Sequence, residues 1–207
     1  MFRKIISATL LALPLVTGVS LPALADSARG EAVRVRGTIV DLGGKTLKVK
    51  TREGQTIDIA LADGWMVSGV ARAALSDIKP GDYVGIASVA KKDGGDGALE
   101  VLIFPSALKG TGEGSFGWDL EPNSTMTNGS VADAVQDVDG RTVTVAYHGK
   151  EKKIAVPEGT PVVTFASATQ ADLKPQAVVF VSGQKDANGA ITAQRVVVGT
   201  NGVVPPM

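Results

Sequence analysis

The residues best suited to recognition or chemistry lie in one segment near the middle of the chain. Residues 112–117 read G-x-G-x-x-G, and the aromatic residues Phe116 and Trp118 flank the last glycine. This glycine pattern occurs in dinucleotide sites, where a helix begins directly after it and holds the pyrophosphate at its N-terminus. Here Pro122 and Asn123 follow closely, and no helix can be drawn there. The segment is therefore predicted to be a loop between domains and not a nucleotide site.

The composition of this loop indicates that it does more than connect two domains. A solvated linker consists of Gly, Ser and Pro, whereas aromatic rings left in water reduce solubility and insert into a groove. Two interpretations stay open: the rings dock between the domains, or they join nearby carboxylates in a surface for a ligand or partner. Trp65, at the end of the predicted third strand, has the same two interpretations, core packing or a ligand groove. The candidate binding residues are Trp65, Glu113, Phe116, Trp118, Asp119 and Met126.

The sequence contains no recognisable catalytic or metal-binding set. His148 is the only histidine and precedes Gly149 in a predicted turn, and there is no cysteine, so typical zinc and copper sites are not expected. The acidic turns 93–97 and 186–189 lack the spacing of a calcium loop and are interpreted as hairpin turns. The serine-nucleophile pattern G-x-S-x-G is absent as well. We therefore predict no catalytic residue, no metal ligand and no cofactor.

The N-terminus is predicted to be a cleaved export signal. Arg3 and Lys4 precede an apolar stretch, residues 5–16, and Ala23-Leu24-Ala25 supplies the small residues that signal peptidase requires. The alternative, a membrane anchor, needs about 20 unbroken apolar residues, and Pro14 and several polar residues interrupt this stretch. We expect residues 1–25 to be removed and the mature chain to reside in a Gram-negative periplasm without a membrane span.

The charge balance argues against nucleic acid as a partner. The 207-residue chain has 21 Lys and Arg and 21 Asp and Glu, and loss of residues 1–25 would leave a net charge of −2. Affinity for phosphates comes from clustered positive charge, which this balance does not indicate. Because the chain has no Cys, it cannot be a disulfide scaffold, and burial of its apolar residues, 44% of the total, must stabilise it.

Self-comparison predicts an internal duplication at an offset of about 95 residues. Residues 77–80, Asp-Ile-Lys-Pro, recur as residues 172–175, Asp-Leu-Lys-Pro, and earlier in the copies an offset of 96 matches Ile39 with Val135. The predicted division is a first copy over 31–105, a linker over 106–125, a second copy over 126–199 and a tail over 200–207.

Each copy has the period-two alternation of half-buried strands. In the first copy Val35 and Val49 are predicted to face inward, whereas Arg34, Arg36 and Lys50 face water. The order of strand, strand, strand, short helix, strand, strand predicts an all-β protein of two tandem OB-like small β-barrels, each with one short helix. An irregular β-sandwich formed by both halves is the alternative. Barrels are favoured because each copy holds a full set of strands and closure removes exposed edges.

The repeated signature resembles exported proteobacterial tandem domains of unknown function with OB-like small β-barrels. The resemblance rests on four segments: Gly37–Asp41, Ile78–Val84, the linker with Trp118-Asp119-Leu120, and the ending Gly202–Met207. Such relatives often carry metal-transporter labels, although a chain without membrane spans cannot itself be a permease.

These observations lead to a functional hypothesis. We expect a non-enzymatic periplasmic binding or interaction module that presents a barrel face and the aromatic linker to a partner protein or small ligand. The resemblance implies an alternative, an accessory protein of metal homeostasis that binds a cation weakly through carboxylate and Met ligands. A hydrolase using Glu113, Asp119 or Glu121 is a third hypothesis.

Overall fold

The computed structural model describes residues 30–137 and 140–205, so the predicted export signal lies outside the described residues. The described residues form twelve strands in one continuous sheet. The strands are β1 (Glu31–Gly43), β2 (Thr46–Thr51), β3 (Thr56–Arg72), β4 (Tyr83–Ala90), β5 (Asp96–Phe104), β6 (Gly114–Gly117), β7 (Thr125–Asp137), β8 (Gly140–Tyr147), β9 (Lys150–Ala155), β10 (Val162–Ala166), β11 (Val178–Lys185) and β12 (Ile191–Gly199).

Five of these strands form a closed β-barrel, which confirms the all-β prediction. Its order is β1-β2-β3-β12-β11, and β11 pairs with β1 to close the circle. All neighbours are antiparallel except β3 and β12, which run parallel. The interior holds an apolar cluster that includes Ile39, Leu47, Val49, Ile59 and Val181, each 0% exposed.

Five other strands form a second ring with the corresponding order, β7-β8-β9-β5-β4. The parallel pairing between β5 and β9 covers two residue pairs, Asp96 with Ile154 and Gly97 with Ala155. The half-buried Lys152 ammonium lies 3.4 Å from the Asp96 carboxylate and fixes this junction. A separate apolar cluster with Val84, Ile86, Val143 and Ile154 fills the interior.

The strand pairing does not follow the expected division into residues 31–105 and 126–199. The closed barrel takes β1–β3 from the first half and β11–β12 from the second, and the second ring takes β7–β9 and β4–β5. The physical cause is the length of β3, which extends through Arg72 instead of ending near Trp65. The chain therefore leaves the barrel along β3, and the strands that follow complete the other ring.

The barrel and the ring are joined through β10. This strand pairs antiparallel with the end of β3 and parallel with β5. At its centre Val70 pairs with Phe165, the residue 95 positions later. A third apolar cluster covers this junction, with Val70, Leu102, Val163 and Phe180 all buried. The two rings therefore share this third apolar cluster at their boundary.

The register corrects one predicted match. In the first hairpin Ile39 pairs with Val49. In the second hairpin Val145, the counterpart of Val49, pairs with Val131. The counterpart of Ile39 is therefore Val131 and not Val135. Each lies at a bulge and exchanges backbone hydrogen bonds with a turn before β11 or β4. The β7–β8 hairpin is longer than the β1–β2 hairpin, and this length difference shifts the offset to 92 in the first strand.

The predicted short helices are single 3₁₀ turns, Leu75–Asp77 and Gln170–Asp172. Each is capped by its last residue: the Asp77 carboxylate accepts the Ala74 N–H at 2.8 Å, and Asp172 accepts that of Thr169 at 2.7 Å. Within residues 30–137 and 140–205, no helix has the length and apolar character needed to cross a bilayer.

Candidate binding cavity

The linker is an ordered segment that begins after β5 and ends at β7, both strands of the second ring, and its turn after β6 contacts the closed barrel. Residues 114–117 form β6 and pair with the first part of β7. The turn that follows is fixed by Ser124, whose carbonyl accepts the Trp118 N–H at 2.8 Å and whose hydroxyl donates to the Trp118 carbonyl at 3.1 Å. Asn123 supports the turn with a left-handed φ of 62°. Trp118 and Asp119 are therefore held in one orientation.

Trp118 packs against the barrel surface and is stacked by arginine. The Arg34 guanidinium lies 3.9 Å from the centre of the Trp118 ring, a favourable cation–π distance. Phe116 contacts Trp118 in an edge arrangement with ring centres 6.0 Å apart. Trp118 also packs on the apolar cluster at the boundary between barrel and ring. Its indole N–H is buried and has no hydrogen-bond partner among the described residues.

Asp119 anchors the linker to β1 and β2. Its carboxylate accepts a hydrogen bond of 2.9 Å from Arg36 Nη2 and lies 3.8 Å from Arg34 Nη1. Burial by itself would raise the pKa of Asp119, but the hydrogen bond and charge of Arg36, with the charge of Arg34, lower that pKa below its usual range. Arg52 donates to the carbonyls of Asp119 and Leu120 at 2.9 and 3.0 Å. Two arginines of β1 and one in the β2–β3 turn thus hold the linker.

Arg36 is the central residue of this arrangement and corrects a prediction. Its side chain was expected to face water, yet it is only 10% exposed. It does point away from the barrel interior, as the alternation predicts, but the linker and the ring cover that face. The guanidinium lies 5.1 Å from the Phe180 ring centre and 5.9 Å from that of Trp118. Two aromatic rings therefore lie beside the Arg36 guanidinium, whose charge is paired with Asp119.

A cavity of about 480 Å³ lies beside this cluster, between the barrel and the second ring. The barrel contributes Arg36, Lys50 and Arg52, the ring contributes Glu100, and the linker contributes Leu120. The remaining lining is mostly apolar and comes from β1, β2, β11, the β9–β10 connection and the C-terminal segment: Gly37, Thr38, Thr51, Pro161, Val178, Val179, Val204 and Pro205. The cavity thus combines apolar walls with cationic groups.

Glu100 contributes a buried carboxyl group to the cavity. The residue is 6% exposed and lies in β5 opposite Ala87. Burial raises the pKa of Glu100 to about 8, although the positive charge of Arg36 opposes this effect. At neutral pH the carboxyl group is therefore mostly protonated and can donate a hydrogen bond.

The structure brings together three of the six predicted site residues, Phe116, Trp118 and Asp119. Glu113 lies at the other end of β6, where its carboxylate accepts a hydrogen bond of 2.8 Å from the backbone N–H of His148. His148 has a φ of 45° in the tight turn between β8 and β9, as predicted for a turn residue.

Met126 and Trp65 are in other surroundings. Met126 is 5% exposed, so its thioether is enclosed by protein. Trp65 is half-buried and packs against the interior cluster of the closed barrel. Neither residue lines the cavity between the barrel and the ring.

Sequence reasoning missed Glu100, Lys50 and Arg52 as site residues. A signal for Glu100 exists, since it is the one charged residue in the otherwise apolar run Leu99–Phe104. Lys50 was recognised only as a water-facing residue of β2, and Arg52 was not singled out. Their convergence on a cavity depends on the second ring covering that side, which alternation along a strand does not reveal.

The described residues contain no group of three or more His, Cys, Asp and Glu side chains close enough to hold a metal ion. Comparisons with protein-family models, with curated proteins and with solved structures found no match to this chain. The geometry of the cavity is thus the main guide to function.

Proposed function

We propose that this protein is a non-enzymatic binding module of the bacterial periplasm whose ligand site is the cavity between the closed barrel and the second ring. The observation that carries this proposal is the cavity itself, about 480 Å³ in volume, with Arg36, Lys50, Arg52 and the buried Glu100 set in apolar walls. Small-molecule sites have volumes of roughly 300–1,000 Å³ and combine apolar walls with a few polar groups.

The proposed architecture is a pair of OB-like barrels that exchange strands. Both rings follow the order 1-2-3-5-4 with a parallel pairing between the third and fifth strands, and each contains three strands of one half and two of the other. Such an arrangement arises when a duplicated barrel exchanges its last two strands with its copy. OB-folds bind ligands on an outer face of the barrel, and the cavity lies on the outer face of β1 and β2.

In this proposal the linker contributes Leu120 to the wall of the site. The Arg34 guanidinium stacks on Trp118 and Arg36 donates to Asp119, so these contacts hold the linker, and with it Leu120, against the barrel. Phe116, 39% exposed, remains accessible as an additional contact for a partner protein. The alternative role in metal homeostasis stays a prediction.

The proposal is tested by ligand retention with a cavity-filling variant. Thr38 and Val178 are paired across β1 and β11, and both line the cavity. Thr38→Trp should fill the cavity. Thr56→Trp is the control, because it makes the same substitution at the exposed start of β3, outside the cavity lining. Each protein is incubated with a periplasmic small-molecule extract, separated by gel filtration, denatured and examined by mass spectrometry.

We expect a compound that co-purifies with the wild type and with Thr56→Trp but not with Thr38→Trp. Circular dichroism of the three proteins shows whether the fold is retained. Equal recovery of the compound from all three folded proteins would place the site elsewhere, and recovery from none would contradict a binding role for the cavity.

A further inference from the structure

Lys50 differs from the two arginines that line the same cavity. Arg36 bonds to the Asp119 carboxylate, and Arg52 bonds to Glu53 and to two carbonyls of the linker. Lys50 is exposed at the cavity wall, and no hydrogen bond or ion pair engages its ammonium group within residues 30–137 and 140–205. The cavity therefore includes a cation that no carboxylate neutralises.

The acidic groups near the cavity do not cancel this charge. The Asp119 carboxylate is engaged by Arg36, and the Glu53 carboxylate lies 2.6 Å from Arg52 Nε. Glu100, the one carboxyl group in the lining, is buried by apolar strands and carries a proton at neutral pH because burial raises its pKa to about 8. The lining is therefore positive overall, and positive lining groups select an anionic ligand.

The rest of the lining sets the shape of the ligand. Val178, Pro161, Leu120, Val204 and Pro205 form apolar walls next to the charged side. A volume of about 480 Å³ equals roughly sixteen water molecules at about 30 Å³ each. Inorganic phosphate or sulfate would leave most of this space, and all of the apolar wall, without a contact.

We infer that the cavity binds an amphipathic organic anion, with its anionic group at Lys50 and its apolar body against Val178, Val204 and Pro205. This inference rests on the proposed function and specifies its ligand class. Apolar contact supplies most of the affinity, whereas the single ion pair with Lys50 supplies selectivity for the charged compound.

Two dyes of one skeleton test the inference. Anilinonaphthalene sulfonate is an amphipathic monoanion, and phenylnaphthylamine lacks only its sulfonate group. Both become fluorescent in apolar cavities, so each is titrated into the full mature chain at neutral pH. We expect the anionic dye to bind at least about tenfold more tightly, which corresponds to about 1.4 kcal/mol.

Substitutions assign the binding to this cavity and this charge. Lys50→Met should reduce the affinity for the anionic dye to that of the neutral dye without changing the latter, and Lys50→Arg should retain selectivity. Lys48→Met is the matched control, because Lys48 lies two positions earlier in β2 and pairs with Asp58 outside the cavity. Thr38→Trp should abolish the binding of both dyes.

Failure of the ligand class and failure of the site give different results. If both dyes bind equally, Lys50→Met has no effect and Thr38→Trp still blocks binding, the cavity is a site but not for an anion. If neither dye binds at millimolar concentration, or if Thr38→Trp leaves both affinities unchanged in a folded protein, the cavity is not a ligand site and the proposed function is wrong as well.

Discussion

Arg36 and Asp119, 83 positions apart in the chain, are joined by a hydrogen bond of 2.9 Å between Nη2 and Oδ1. This pair connects the first strand of the closed barrel to the turn that follows β6. Because the Arg36 side chain is 10% exposed, its charge depends on this carboxylate more than a surface arginine would. The position of the linker beside the cavity is therefore coupled to the state of one ion pair.

Asp119→Asn should weaken this connection. The loss of a charged hydrogen bond to a mostly buried guanidinium is expected to reduce the free energy of unfolding by about 1 to 2 kcal/mol, since Asp119 itself is partly exposed. Urea denaturation measures the change. Asp63→Asn, which removes the partner of Lys45 at a carboxylate 91% exposed, should change stability by less than about 0.5 kcal/mol.

The same pair predicts a dependence on pH. The pKa of Asp119 is lower in the folded protein than its ordinary value of 3.8. Its contribution is therefore fully present above about pH 4 and is lost as the pH falls through the folded pKa. The stability difference between wild type and Asp119→Asn should shrink below about pH 4, and a difference that persists unchanged there would show that the carboxylate charge is not responsible.

Glu100→Gln should make the protein more stable than the wild type as the pH rises from about 5 to 8. Because the folded pKa of about 8 is above the ordinary value of 4.5, the folded state retains a proton that the unfolded state releases. The contribution of this group to stability is therefore highest below about pH 4.5 and declines as the pH rises towards 8, by at most about 1.4 kcal/mol per pH unit. The glutamine amide of the variant cannot ionise, so this decline should disappear.

Denaturation of wild type and Glu100→Gln at intervals from pH 5 to 8 measures this effect. The two curves should lie close together near pH 5 and separate with rising pH, with the variant more stable. Glu31→Gln, at the exposed start of β1, is the control and should follow the wild type throughout. Parallel curves for wild type and Glu100→Gln would contradict a protonated Glu100 at neutral pH.

Local structure could be predicted well from the sequence because alternation and turn residues report on it directly. Leu47 and Val49 are buried on one side of β2, and in the first half the elements follow the predicted order of three strands, a short helical turn and two strands. The linker aromatics were expected either to dock or to bind. Trp118 docks, and Phe116 stays partly exposed beside it.

The pairing of distant strands could not be predicted in the same way. The first half contains β1–β5 and the second half contains β7–β12, and β11 would bury the same valines beside β1 or beside β7. The choice depends on β3, which continues past Asp63-Gly64 to Arg72 and directs the chain out of its own barrel. Neither Gly64 nor the following residues indicate whether a strand ends there or merely bends. The existence of the cavity and the burial of Glu100 beside it depend on that choice.

Trp118 provides a test of the docked linker. Trp118→Ala removes the ring from Arg34 and from the boundary cluster, and we expect a loss of about 2 to 3 kcal/mol for this half-buried side chain. Trp118→Phe also removes an indole N–H that is buried without a partner among the described residues, so its loss should stay near or below about 1 kcal/mol. Chemical denaturation compares them with Phe116→Ala, which removes the more exposed ring.

The strand exchange predicts how the chain behaves when it is divided. The exposed turn at Gly110-Thr111, before β6, separates β1–β5 from β6–β12. Residues 26–110 then contain three strands of the closed barrel and two of the second ring, and residues 111–207 contain the others. Neither fragment can complete a barrel from its own strands, so each should be unfolded or self-associated when produced alone.

Mixing the two fragments should restore the fold. We expect a one-to-one complex by light scattering, with the far-ultraviolet spectrum of the intact chain, because the β1–β11, β3–β12 and β4–β7 pairings all form between fragments. As a control, a protease site inserted between Gly110 and Thr111 and cleaved after folding should leave the pieces associated until denaturant is added. A homodimer of either fragment would still require exchanged strands, whereas a fragment that folds cooperatively as a monomer would show that a half completes its own barrel.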